Sequence, residues 1–162
     1  MLATITVDRD TDLETPSDES VNLWVKVALE NSRFKCKLTP EISIHITGTD
    51  EASRLNQSYR GILGPTNVLS FPADLAENLD LNLLGDLVIC APLVINEAKE
   101  QGKETEAHWA HLVIHGVLHL LGHDHQVSDE ADAMEALEIR TLSALGYGNP
   151  YAIDRSLARI DT

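Results

Sequence analysis

Apolar and polar positions alternate along residues 2 to 8 (LATITVD) with the period of two that a half-buried strand requires. After it, Val21, Trp24, Val25 and Ala28 recur at helical spacing and would form a buried face. Thr15-Pro16-Ser17-Asp18 just ahead of them reads as a helix start, with a threonine cap and proline in the first turn. Glu41 to Thr47 (EISIHIT) alternates as a second strand, which places His45 with Ser43 and Thr47 on one strand face rather than among ligands. Thr49 is positioned to cap a helix with Ala52, Leu55 and Tyr59 on one face, and that helix runs into the loop Arg60-Gly61-Ile62-Leu63-Gly64-Pro65-Thr66. A short strand is expected from Val68 to Phe71.

Asn78 to Leu84 is a mixed polar and leucine-bearing connection, whereas Gly85-Asp86-Leu87-Val88-Ile89-Cys90 is apolar enough for a central strand. Pro92 begins a further helix that Gly102 can end. From Thr105 to about Leu121 the chain is apolar on most sides of a helix, the pattern of a buried spine. A last helix from Asp129 to Ala144 stops at Gly146. The expected fold is α+β: a mixed sheet of about four strands packed with about five helices. The length suits one domain, and residues 1 to 162 are read as a single metal-dependent hydrolase domain.

Composition narrows the class. No apolar stretch reaches the ~18 residues of a membrane span, and no basic segment precedes an apolar one at the start, so a cytoplasmic protein is expected. Cys36 and Cys90 lie far apart and outside any CxxC spacing, which argues against a disulfide framework or a cysteine-built zinc site. The formal net charge of −14 weighs against tight phosphate binding, because that affinity comes mainly from lysine and arginine. The charge is uneven, however. Asp8 to Glu19 and Asp129 to Glu138 are acidic, while Arg33, Lys35, Lys37, Arg54 and Arg60 gather mid-chain and could form a basic lip on an acidic body.

The chemistry concentrates in His115-Gly116-Val117-Leu118-His119-Leu120-Leu121-Gly122-His123-Asp124-His125, which holds four of the seven histidines. His115 and His119, four residues apart on a helix, stand one above the other and can converge on one ion. His111 shares that face but lies roughly 12 Å along the axis from His119, too far for all three to share bonds of ~2.1 Å. Gly122 can take a positive φ, end the helix and fold the chain back, bringing either His123 or His125 over the first two ligands. Three neutral imidazoles suit zinc and leave a fourth position for water, whose pKa the ion can bring near 7. A fourth ligand from His123 or Asp124 would instead close the site and make it purely structural.

The spacing HxxxHxxGxxH is shared with long zinc-protease motifs, in which a glutamate general base follows the first histidine. Gly116 stands there instead, which weakens a peptidase reading. A phosphodiester hydrolase using a metal-activated water needs a cation to stabilise developing phosphate charge. Arg60, at the head of a Gly/Pro loop, is the candidate, since guanidinium matches phosphate bidentately. Asp86 and Asp124 are candidate partners that orient the metal-binding imidazoles.

The segments HGVLHLLGHDH, Tyr59-Arg60-Gly61, Pro65 to Pro72 (PTNVLSFP), Leu84 to Cys90 (LGDLVIC), Met134 to Glu138 (MEALE) and Leu145-Gly146-Tyr147 together resemble the bacterial YbeY family of endoribonucleases, over roughly residues 40 to 151. Asn67 departs from the aspartate often found at that position in the family. The resemblance implies a single-strand-specific, metal-dependent endoribonuclease acting in ribosomal RNA processing, above all 16S 3′-end maturation, and in ribosome quality control. It further implies one zinc held by His115, His119 and His125, a functional Arg60, precursor ribosomal RNA and the ribosome or its proteins as partners, and no role for DNA or membrane. The competing readings are a zinc peptidase or amidase, and a non-catalytic ribosome-assembly factor with structural zinc.

Overall fold

A computed structural model describes residues 3–34, 39–73, 82–123 and 128–151. His125 and Asp124 lie outside the described residues, as do Lys35, Cys36, Lys37 and part of the Asn78 to Leu84 connection. The chain runs β1 (Thr4–Arg9), α1 (Asp18–Asn31), β2 (Glu41–Thr47), α2 (Thr49–Arg60), β3 (Val68–Pro72), β4 (Leu83–Cys90), α3 (Ala91–Glu100), α4 (Thr105–Leu120) and α5 (Ser128–Ala144). The four strands form one sheet in the order β1-β2-β4-β3. β1 and β4 both run parallel to β2, and β3 pairs antiparallel with β4, so the sheet is mixed.

Strand position follows apolar content. β4 is interior, and Leu84, Leu87, Val88, Ile89 and Cys90 are all buried along it. β2 buries Ile42, Ile44 and Ile46 on alternate positions, whereas the edge strand β1 has no fully buried residue. The expected spine is α4: it buries Trp109, Leu112, Val113, Ile114, Val117 and Leu118, and it packs against α1, α3, α5, β3 and β4. These side chains, with Trp24 and Leu29 of α1 and Met134 and Leu142 of α5, belong to one core.

Two helix starts differ from expectation. α1 is capped by Ser17, whose Oγ accepts from the Ser20 N–H at 3.2 Å. Thr15 is already engaged: its Oγ1 accepts from Arg9 Nε at 2.8 Å, and the same guanidinium holds the Pro16 carbonyl at 2.7 Å and Asp18 at 2.7 Å. The cap position of α2 is Gly48, with Thr49 already the first helical residue. The Ala52-Leu55-Tyr59 face of α2 is also not uniformly buried, since Tyr59 is 54% exposed. The polar residue buried on α2 is Asn56, whose Nδ2 donates to the Gly64 carbonyl at 2.8 Å and ties the helix to the following loop.

Candidate active site

His108, His111, His115 and His119 follow one another on α4 at intervals of three, four and four residues, which is a single helical stripe. Successive rings lie edge to face, with centroids 6.3, 6.2 and 4.7 Å apart. The stripe runs from the buried His108 to the partly exposed His115 and His119. His108 is held at its inner end by Glu97, Nε2 to Oε1 at 3.0 Å.

The carboxylate beside the middle of the stripe belongs to α5. Glu138, only 1% exposed, accepts from His115 Nδ1 at 2.5 Å with one oxygen and from His111 Nε2 at 3.0 Å with the other. The Tyr151 hydroxyl also donates to it. Burial by itself would raise the Glu138 carboxyl, but the hydrogen bonds and charges of His111 and His115 prevail and hold it far below the ordinary carboxylate range. Tyr151 is pushed well above its usual value, by burial first and by Glu138 second. A carboxylate hydrogen-bonded to Nδ1 is the arrangement usual for a histidine that binds metal through Nε2. Among the described residues, His111, His115 and Glu138 form a group whose ligand atoms lie within 4.8 Å of one another and could hold a metal ion. His115 and His119, which line one cleft, offer imidazole donors of the kind that transition-metal ions take, and Glu138 is there the carboxylate that orients His115 rather than a ligand.

The end of α4 turns as its glycine requires. Gly122 has φ of 96°, its N–H reaches the His119 carbonyl at 3.0 Å, and the His123 N–H reaches the Leu118 carbonyl at 3.0 Å, the two bonds of a Schellman turn. His123 is thereby placed on the wall of a cleft of about 560 Å³. The same cleft is lined by His115 and His119 from α4, Tyr59 and Arg60 from the end of α2, and Thr66 to Ser70 from β3 and the residues before it. Arg60 is exposed and is the last residue of α2, terminated by Gly61 in a left-handed conformation. Residues 55 positions apart in sequence, Arg60 and His115, thus face one space.

Asn67 lies at the back of the cleft and is fully tethered. Its Oδ1 accepts from the Val68 N–H at 2.7 Å, and its Nδ2 donates to Glu97 at 3.1 Å, linking β3, α3 and His108. These bonds hold Glu97 below the usual carboxylate range, with His108 contributing most, against burial. Gly116 packs against the sheet: a Cβ there would sit 2.8 Å from Leu87 Cδ2 and 3.3 Å from Val68 Cγ2. Leu87 is fully buried and cannot swing aside.

The model of the family described as "Endoribonuclease YbeY" matches residues 6–146. The chain belongs to the YbeY family. Two proteins named "Endoribonuclease YbeY" are each 50% identical to it: that of Cellvibrio japonicus (strain Ueda107) over 138 residues, 85% of this chain and 76% of the relative, and that of Pseudomonas putida (strain W619) over 151 residues, 93% of this chain and 94% of the relative. The solution structure of TM1509 from Thermotoga maritima matches in fold, with a TM-score of 0.57 at 22% identity, covering 88% of this chain and 91% of that one. The range matched by the YbeY model contains the cleft, the histidine stripe and Glu138 together.

Sequence reasoning missed Glu138 as the partner of His115. Asp86 was a candidate for that role, but it is exposed on β4, opposite Ser43 and Phe71, and the carboxylate on His115 comes from α5. A signal was present: Met134, Glu138, Thr141 and Leu142 lie on one buried helical face, and a glutamate on such a face needs partners. The basic lip does not assemble among the described residues, because of Arg33, Arg54 and Arg60 only Arg60 lines the cleft. Arg54 pairs instead with Glu51, and Arg33 occupies a left-handed turn after α1.

Proposed function

We propose that this chain is a zinc-dependent endoribonuclease that cuts single-stranded RNA, with precursor ribosomal RNA as its cellular substrate. The reading extends to maturation of the 16S 3′ end and to ribosome quality control in the cytoplasm, alongside the ribosome or its proteins and without DNA or membrane as partner. The observation that carries it is the opening of His115, His119 and Arg60 onto one cleft. The substrate class is taken from the name shared by the family model and by both relatives.

In this reading His115, His119 and His125 hold one zinc ion, and Glu138 orients His115 from behind. Zinc bound there supplies Lewis acidity and a source of hydroxide at neutral pH. Arg60 binds the scissile phosphate through its guanidinium fork and stabilises the charge that builds on it. Asn67 and Ser70 keep β3 fixed against α3 and α4, the Ser70 hydroxyl donating to the Gly116 carbonyl at 3.2 Å, so the cleft wall stays in register with the histidines. The peptidase alternative loses support at Gly116, because the glutamate that serves as general base in that motif is absent and even a Cβ there would meet Leu87 at 2.8 Å.

The test is cleavage of one single-stranded RNA, its duplex with a complementary strand, and an unstructured peptide by the purified protein, with and without a chelator. Cutting of the single strand alone, abolished by chelation, is expected. Peptide cleavage without RNA cleavage, or RNA cleavage indifferent to chelation, would overturn the proposal.

A further inference from the structure

Tyr59 is adjacent to Arg60 in sequence and lines the same cleft as His115 and His119, yet a 54%-exposed tyrosine contributes little to the fold. Its ring is braced by Phe71 of β3, with centroids 4.4 Å apart and planes inclined at 54°. The loop that follows adds Ile62 and Leu63, the latter 80% exposed. The loop is held from both sides, by the Gly61 N–H on the Gln57 carbonyl at 2.9 Å and by Asn56 on the Gly64 carbonyl. The cleft therefore has an aromatic side chain immediately beside its arginine.

We propose that Tyr59, braced by Phe71, is a stacking platform for one nucleobase of the RNA whose phosphate Arg60 binds. The proposal rests on the ribonuclease reading and names the part of the site that grips the base. A nucleotide offers a charged phosphate and a planar apolar base, and Tyr59 and Arg60 present one matching group for each from consecutive positions. Continuity with the cleft selects a base as occupant over a protein surface. The charge of the chain strengthens the argument. At −14, and with only one arginine in the cleft among the described residues, coulombic attraction to phosphates is weak, so affinity has to come from contacts that do not depend on charge. Stacking of a base on an aromatic ring is such a contact, and it accepts any base because each has a π face. It is also available only when the base is unstacked, which favours a single strand over a duplex.

The test is a thermodynamic cycle between the side chain and the base. Affinity is measured by fluorescence anisotropy for a labelled single-stranded RNA with a backbone modified to slow cutting, and for the same RNA with one abasic nucleotide moved along it. The proteins compared are wild type, Tyr59→Ala, Tyr59→Leu and Tyr59→Phe, each first checked for folding by circular dichroism. Tyr59→Ala and Tyr59→Leu are expected to weaken binding about 5- to 150-fold at every salt concentration, with Tyr59→Phe restoring it. At one abasic position wild type should lose the same factor and Tyr59→Ala should lose nothing more. Wild type that binds RNA as well as Tyr59→Ala and Tyr59→Leu do would overturn the stacking proposal alone. Wild type that does not bind single-stranded RNA at all would overturn this proposal and the ribonuclease reading together.

Discussion

Glu138 and Arg60 set the two electrostatic poles of the site, one buried behind the histidines and one exposed in front of them. Glu138→Gln replaces an acceptor on two imidazole N–H groups with an amide that can accept at one oxygen only. One N–H is then left buried and unsatisfied, at a cost of about 1–3 kcal/mol, read as a lower denaturation midpoint. The same change removes the group that orients His115, so zinc affinity measured by chelator competition should fall about 10- to 100-fold. An unchanged zinc affinity would separate Glu138 from the metal site. Arg60→Ala has the opposite signature. Its side chain is exposed at a helix end, so folding and zinc content should persist while cleavage drops on the order of 10²-fold. Unaltered cleavage kinetics would remove Arg60 from the reaction. His115 and His119 stand out at i and i+4 and Arg60 at the head of its loop, and the structure brings the three to one cleft. The apolar face of α5 marked Glu138 as a buried acid in need of partners but not which ones, because these depend on α5 packing across α4.

At the scale of elements, α4 must carry the histidines on one side and meet the sheet closely on the other. Gly116 is the residue that permits the approach, and Gly116→Ala should cost about 1–3 kcal/mol by overpacking Leu87, measured by urea denaturation. No loss of stability would show that the helix and sheet are not in close contact there. A second link, away from the cleft, joins β1, β2 and α2. His45 bonds Asp8 through Nδ1 and Glu51 through Nε2 at 3.1 Å, and Thr47 donates to the same Glu51 oxygen at 2.7 Å. Burial pulls the His45 pKa down, but the hydrogen bonds and charges of Asp8 and Glu51 outweigh it and raise the value above its usual 6.5. Stabilisation from a raised histidine is complete below 6.5 and is lost as pH rises through the folded value. Glu51 is lowered from 4.5, by Thr47 first and His45 second, so its share is complete above 4.5 and is lost as pH falls through its folded value. The stability difference between wild type and His45→Gln should therefore be largest between about pH 4.5 and 6.5 and shrink above it; a difference independent of pH would contradict the ion-pair account. Element types were legible because β2 alternates with a period of two, β4 is a short run with few polar interruptions and α4 is a long stretch apolar on most sides. The starts of α1 and α2 were not, since Thr15 is claimed by Arg9 from β1, a contact made only in the folded chain.

For the whole molecule, the unresolved tension in the sequence was between a charge of −14 and a nucleic-acid substrate. The fold eases it by bringing together Arg60, Tyr59 and three histidines in a cleft assembled from α2, β3, α4 and the turn after α4, with Arg60 the one arginine or lysine lining it among the described residues. The mixed four-stranded sheet and its helices followed from pattern and composition, whereas the convergence of Arg60 on the histidines required the sheet order β1-β2-β4-β3. In the proposed function RNA cleavage depends on a metal held in part by the histidines of α4. The most direct test of that dependence is metal content and cleavage of a single-stranded ribosomal RNA precursor, measured in parallel for wild type and His119→Ala, with folding confirmed for both. About one zinc per chain is expected in wild type, with joint loss of zinc and cleavage in a variant that stays folded. Cleavage that persists after the zinc is gone would contradict it, and assembly activity surviving in the folded, zinc-free variant would move the non-catalytic assembly role into first place.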